Sequence, residues 1–380
     1  MKPESCDIFC KVIDNFGDIG VSWRLARQLA HEHGLAVRLW VDVLASFRPL
    51  APALDVDLAQ QWLDGVQVCR WDEAADQASP AQLVIEAFGC ELPAAYLAAM
   101  AASTPRPVWL DLEYLSAEDW VPGFHAMPSP HPRLPLTRHF FYPGFTPETG
   151  GLLREKDLCQ RLQAWRADAP AVQAFWQRLG CAPALDALRI SLFAYENAAI
   201  PGLLDAWADG EREIFSAVTT GRHVPQVQAW LAARGGTLRQ GRLQLALLPF
   251  LAQPDYDHLL AACDLNFVRG EDSFVRAQWA AQPFVWHIYQ QDGGAHLPKL
   301  AAFLARYSSE LATAPAIALQ GFWQAWEAGD GAGAQWPALL AHLPTLQQHA
   351  RAWQQKLVTH ADLAANVLIF SKNLLECRAL

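Results

Sequence analysis

Short apolar, β-rich runs alternate with helix-patterned stretches along this chain, stop, and then begin again. The first series is "DIFCKVI" (7–13), "AVRLWVD" (36–42), "VQVCRW" (66–71), "AQLVIEAF" (81–88) and "RPVWLDLE" (106–113), with "HFFYPG" (139–144) as a late strand. Strands apolar at nearly every position, separated by helices, must be covered on both faces, which makes the sheet parallel and the class α/β. The helix between the first two strands has Ser22 as its candidate cap and an apolar stripe of Trp23, Leu25, Ala26, Leu29 and Ala30 before Gly34. A polar, tryptophan-bearing helical stretch follows at 155–179, and Gly180 and Pro183 place a boundary near residue 184. The alternation then restarts with "LRISLFAYE" (188–196), "REIFSAVTTG" (212–221), "RLQLALLPF" (242–250), "CDLNFVRG" (263–270) and "PFVWHIY" (283–289). Two doubly wound, Rossmann-like domains are expected, at 1–184 and 185–360. The helical stretch in 361–380 is expected to pack back on the first.

A chain of 380 residues, 52 % hydrophobic, supplies apolar surface for two cores. The net charge of -10 gives no overall attraction for nucleic acid. No apolar run reaches the roughly 20 residues needed to cross a bilayer, and the amino-terminal stretch lacks a signal-peptide pattern, so a cytoplasmic protein is expected. The eight cysteines are scattered; Cys6 and Cys10 read as apolar-side residues of the first strand, and no His and carboxylate cluster suggests a metal site.

Two loops carry the chemistry. In "CKVIDNFGDIGVSWRLARQLA" (10–30) the strand breaks on Asn15, Gly17 and Gly20, and the loop holds Asp14 and Asp18. A phosphate cradle offers glycine and backbone N–H groups, whereas two carboxylates attract a cation. The plainer alternative is that Asp14 closes an Asx-turn and Asp18 sits at a helix N-terminus. In "DLNFVRGEDSFVRAQWAAQPFVWHI" (264–288) a strand gives way to Arg269, Gly270, Glu271, Asp272 and Ser273, with a helix from about Phe274. An arginine, a serine and a helix start after a parallel strand suit an anion. Local pairing of Arg269 with Glu271 or Asp272, and Ser273 as a cap, is the structural alternative. Phe193, Tyr195, Phe250 and Tyr256 are candidates for an aromatic slot beside such a site, and Tyr289 for a hydroxyl donor to phosphate. A phosphate-bearing donor on one domain and a cation-attracting loop on the other suggest transfer to a positively charged acceptor.

The stretches "FCKVIDNFGDIGVSWRLARQL", "RGEDSFVRAQ" with the following "QPFVWHIY", "EYLSAEDW" and "MPSP" resemble the EarP family of protein-arginine rhamnosyltransferases, which modify bacterial translation elongation factor P. The resemblance spans nearly the whole chain. It implies a GT-B fold of two domains facing across a cleft, dTDP-β-L-rhamnose as donor substrate, no cofactor or metal, and inverting transfer to an arginine of elongation factor P. It further implies Asp14 and Asp18 as the catalytic pair, with Asp18 as base and Gly17 and Gly20 shaping their loop. Arg269, Glu271, Asp272, Ser273 and Tyr289 would bind the donor's phosphates and sugar, and Phe193, Tyr195, Phe250 and Tyr256 its base. The residues alone leave open another nucleotide-sugar enzyme of this fold, an epimerase or small-molecule glycosyltransferase, and a nucleotide-sugar-binding translation adaptor without turnover.

Overall fold

The structure, a computed structural model, describes residues 2–13 and 16–378. It divides into two compact units: Met1–Lys156 with Val358–Leu380, and Asp157–Leu357. Among the described residues no helix is long and apolar enough to cross a membrane.

Unit 1 is built on β1 (Ser5–Cys10), β2 (Ala36–Val41), β3 (Gln60–Leu63), β4 (Val66–Arg70), β5 (Leu83–Ala87), β6 (Val108–Leu112), β7 (Pro128–Pro130) and β8 (Thr137–Phe141). Their order is β3-β4-β2-β1-β5-β6-β8-β7, parallel except for the two edge strands. The chain winds outward from β1 through β2 to β4, then restarts at β5 and winds the other way, so the strand order reverses between β1 and β5. Ligands of open parallel sheets bind at that switch point, beyond the strands' carboxyl ends. Cys6 and Cys10 lie buried in β1 as unpaired thiols. Asp7, also fully buried there, accepts from Arg38, Trp40, the Ala81 N–H and Tyr96, so this interior charge is completely paired.

The first helix runs Gly17–His31, which differs from the expectation that Ser22 caps it. Ser22 is buried inside the helix, because the Gly20 N–H already closes a turn on the Phe16 carbonyl at 3.0 Å. The final helix, Leu363–Arg378, belongs to unit 1. The Leu363 N–H reaches the Leu152 carbonyl, and Phe370 lies against His139 and Phe141.

Unit 2 carries β9 (Leu188–Leu192), β10 (Ile214–Val218), β11 (Arg239–Gln240), β12 (Leu243–Leu247), β13 (Leu265–Arg269) and β14 (Phe284–His287) in the order β11-β12-β10-β9-β13-β14, parallel except for β11. Its switch point lies between β9 and β13. The polar helical stretch before the expected boundary near 184 is two helices, Leu158–Ala167 and Ala169–Arg178, and both belong to unit 2. The second carries Pro170 in its first turn, with the Asp168 carboxylate accepting the Ala171 N–H. Packing decides their allegiance: Phe175 and Trp176 share a core with Phe215 and Leu259, while Arg166 bonds the Ala261 carbonyl at 2.8 Å. A glycine and a proline mark a turn, but only these contacts assign a helix to a sheet.

Candidate active site

At the unit 1 switch point the helix Gly17–His31 starts just past β1 and carries Asp18 in its first turn, where a negative charge suits the helix dipole. Asp18 is 2 % exposed; its Oδ2 accepts the Ile13 N–H at 2.8 Å and its Oδ1 accepts the Tyr114 hydroxyl at 3.3 Å. Tyr114 follows β6 and stacks on Phe88, which follows β5, with centroids 4.5 Å apart and planes 20° from parallel. Phe88 takes φ 59° and Gly89 φ 64°, a left-handed pair that turns the chain at the strand end. For a phenylalanine this conformation is costly and is retained where surroundings enforce it. Asp18 thus meets the structural reading, bracing its loop from a helix N-terminus, and does so at the switch point of the sheet. Asp14 lies outside the described residues.

The unit 2 switch point is built around Arg269, the last residue of β13. Its guanidinium carbon lies 4.6 Å from the ring centres of both Phe193 and Tyr195, at the end of β9. Two π faces attract a cation and help hold it in place. Tyr289 meets Tyr195 edge-on at 5.7 Å and Tyr256 meets Phe193 edge-on at 5.7 Å, so four of the aromatic candidates form one group around the arginine. Tyr289 is the open member, 41 % exposed. Phe250 is half-buried on the segment after β12.

Gly270, at φ 57°, turns the chain from Arg269 into the helix Asp272–Ala280, whose N-cap is Glu271. Ser273 therefore lies inside the helix rather than capping it. Its hydroxyl accepts the Arg269 N–H at 2.9 Å and donates back to the Arg269 carbonyl, which braces the arginine's backbone. Asp272 accepts from the Gln253 amide at 3.3 Å.

Two buried histidines, missed in the sequence, hold the aromatic pair. The ring nitrogens of His223 lie 2.9 and 3.0 Å from the Ala194 and Leu192 carbonyls, on either side of Phe193. A Cβ on Gly221 would stand 2.8 Å from His223 Nδ1, so only glycine lets this ring approach. His287 Nδ1 accepts the Tyr195 N–H at 3.3 Å. Burial, reinforced by the Arg269 charge, lowers both histidines to about 4, so both are neutral at neutral pH and leave Arg269 as the cation of the group. Tyr114, Phe88 and Gln253 were missed too. Only Tyr114 left a usable signal, a hydroxyl-bearing side chain just past the carboxyl end of an interior strand.

In sequence and fold the chain is similar to known proteins. A family model described as Elongation-Factor P (EF-P) rhamnosyltransferase EarP matches residues 6–372. A protein-arginine rhamnosyltransferase of Pseudomonas putida is 51 % identical over 371 residues, covering 97 % of this chain and 98 % of the relative. A solved structure described as the structural basis for EarP-mediated arginine glycosylation of translation elongation factor EF-P superposes with a TM-score of 0.68 at 39 % identity, covering 97 % of this chain and 98 % of that one. MurG of Acinetobacter baumannii, at 15 % identity and TM-score 0.50 over 97 % of this chain and 99 % of its own, shares the fold alone, that of GT-B glycosyltransferases. With its family model spanning both units, this chain belongs to the EarP family of elongation factor P rhamnosyltransferases.

Proposed function

We propose that the protein transfers L-rhamnose from dTDP-β-L-rhamnose to an arginine side chain of translation elongation factor P in the cytoplasm, with inversion at the anomeric carbon. The single observation that carries the donor half is the Arg269 guanidinium held between Phe193 and Tyr195 at the unit 2 switch point. There it pairs with the donor's diphosphate, assisted by the N–H groups opening the helix Asp272–Ala280 and by the Tyr289 hydroxyl. Phe193, Tyr195, Phe250 and Tyr256 supply apolar and aromatic surface for the thymine base. Glu271 and Asp272 orient the sugar hydroxyls, and Ser273 holds the Arg269 backbone.

Asp18 acts on the acceptor. A guanidinium is protonated at neutral pH and its nitrogen lone pairs are delocalised, so it is a poor nucleophile unless a carboxylate orients one terminal nitrogen and accepts its proton as the new bond develops. That nitrogen attacks the anomeric carbon from the face opposite the diphosphate. As the C–N bond forms and the C–O bond breaks, the nitrogen's proton passes to Asp18 and the bonding pair leaves with dTDP. The β-linked donor becomes an α-rhamnosyl-arginine, and Arg269 stabilises the charge gathering on the departing diphosphate. Asp14 is the second carboxylate for the incoming cation; Gly17 and Gly20, expected as loop glycines, instead lie in the first turn of the helix Gly17–His31.

The test is intact-mass and site-mapping analysis of elongation factor P incubated with the enzyme and dTDP-β-L-rhamnose. Addition of one rhamnosyl mass on an arginine is expected. Unchanged acceptor mass while the donor is consumed would instead indicate an epimerase or hydrolase.

A further inference from the structure

The carboxyl edge of the unit 1 sheet continues past Asp18 and Tyr114 to a surface that the transfer chemistry leaves unused. Beyond β8, Trp120 stands edge-on to Tyr142 at 5.3 Å and edge-on to Phe124 at 5.6 Å. Trp120, Phe124 and Met127 are 42, 50 and 44 % exposed. Single exposed apolar side chains are ordinary, but two aromatics and a methionine clustered in water mark a surface that another molecule covers. These residue types are also enriched in protein interfaces, where Trp and Tyr carry much of the binding energy.

The patch is held rigidly. His125 Nδ1 accepts the Tyr142 N–H at 3.1 Å, and its ring lies against Phe141. Burial lowers this histidine to about 4, which keeps it a neutral acceptor at neutral pH. The Ala126 N–H donates to the Phe140 carbonyl at 2.7 Å and the Phe140 N–H to the Met127 carbonyl at 3.1 Å. Side chains presented on so constrained a segment have less freedom to lose on association.

The surroundings are acidic. Asp119 is exposed and Glu113 and Glu118 are half-buried, with Glu118 accepting from the Ser116 hydroxyl. Burial and then the charges of Glu113 and Asp111 push the Tyr142 hydroxyl above its ordinary range, a sign of negative potential along this edge. β1 and β8 are three strand spacings apart in the sheet, about 14 Å at the usual spacing. A loop of a folded domain spans that distance.

We propose that the Trp120, Phe124 and Met127 patch with its rim of Glu113, Glu118 and Asp119 is the docking surface for the folded protein acceptor, and that it delivers a basic, arginine-bearing loop to Asp18. The inference rests on the rhamnosyltransferase reading and adds where the acceptor binds. The apolar patch supplies affinity, and the acidic rim attracts the loop and sets its direction.

The test compares the parent with the Phe124→Ser, Met127→Ser pair and with Asp119→Lys, measuring KM and kcat for folded elongation factor P and donor affinity by calorimetry. For the apolar pair the acceptor KM should rise about tenfold or more. For Asp119→Lys a rise of roughly threefold should fade at high salt, as a screened surface charge requires. In both, kcat at saturating acceptor and donor affinity should match the parent, which shows that the variants are folded. An acceptor KM within twofold of the parent in both variants, or a loss confined to kcat, would overturn the docking surface alone. No transfer to elongation factor P by the parent would overturn the functional reading and the docking surface with it.

Discussion

The two switch points solve opposite electrostatic problems with the same backbone plan. In unit 1 a buried carboxylate, Asp18, has a backbone N–H and a tyrosine hydroxyl among its donors. In unit 2 a nearly buried cation, Arg269, is held by two aromatic faces, and the histidines behind those faces are kept neutral. Hydrogen bonds fix the orientation of the carboxylate, as a proton acceptor needs. Ring faces help fix the position of the arginine at the end of its strand. The contrast supports the proposed division, with acceptor chemistry on unit 1 and donor retention on unit 2.

The largest effect expected from this division is on Asp18. Asp18→Asn removes the proton acceptor and should reduce saturated turnover by about a thousandfold, read as the rate of mass gain of elongation factor P. Turnover within tenfold of the parent would break the contrast at its unit 1 end. Next comes Arg269→Ala, which should weaken donor binding about ten- to a hundredfold, consistent with a charge-assisted contact of roughly 1.5–3 kcal/mol. Calorimetry on a variant with a native circular-dichroism spectrum checks it, and parental affinity would reject Arg269 as the anchor. A smaller effect is expected for Tyr114→Phe, which keeps the ring on Phe88 and removes only the hydroxyl. Its kcat should fall by about three- to tenfold at unchanged donor affinity. An unchanged kcat would reduce Tyr114 to packing.

The most general expectation concerns pH and stability rather than turnover, and the units respond in opposite directions. His223 and His287 titrate at about 4 in the folded protein against an ordinary 6.5, so the unfolded chain takes up protons first. Unit 2 therefore loses stability as pH falls from about 6.5 to 4, by on the order of 3 kcal/mol per histidine over the full range. Burial and then the neighbouring Glu86 and Glu113 raise Asp111 in unit 1 from 3.8 to about 7. Its stabilising contribution is complete below 3.8 and is lost as pH rises through 7. Thermal melts should therefore show Asp111→Asn gaining on the parent between pH 5 and pH 8. A constant difference across that range would remove Asp111 from the account.

What could be read in advance follows from the range of the forces involved. The alternation of apolar runs with helical stripes reports local burial, so the two sheets were legible, as were Asp18 at the start of its helix and Arg269 at its strand end. Helix beginnings were misjudged by a few residues at Ser22 and Ser273, because each serine resembles a cap in isolation while a turn already formed upstream displaces it. The domain boundary depended on where Phe175 and Trp176 found a core, a contact across many residues. His223 and His287 left no local pattern either: they lie far along the chain from Phe193 and Tyr195 and meet them only once the sheet is assembled.

One paired measurement tests the division of labour most directly: donor affinity and donor-saturated transfer rate, determined side by side for Asp18→Asn and Arg269→Ala. The account predicts a crossed result, with Asp18→Asn binding dTDP-β-L-rhamnose like the parent while barely transferring, and Arg269→Ala binding the donor weakly. Donor binding lost as severely in Asp18→Asn as in Arg269→Ala would contradict it.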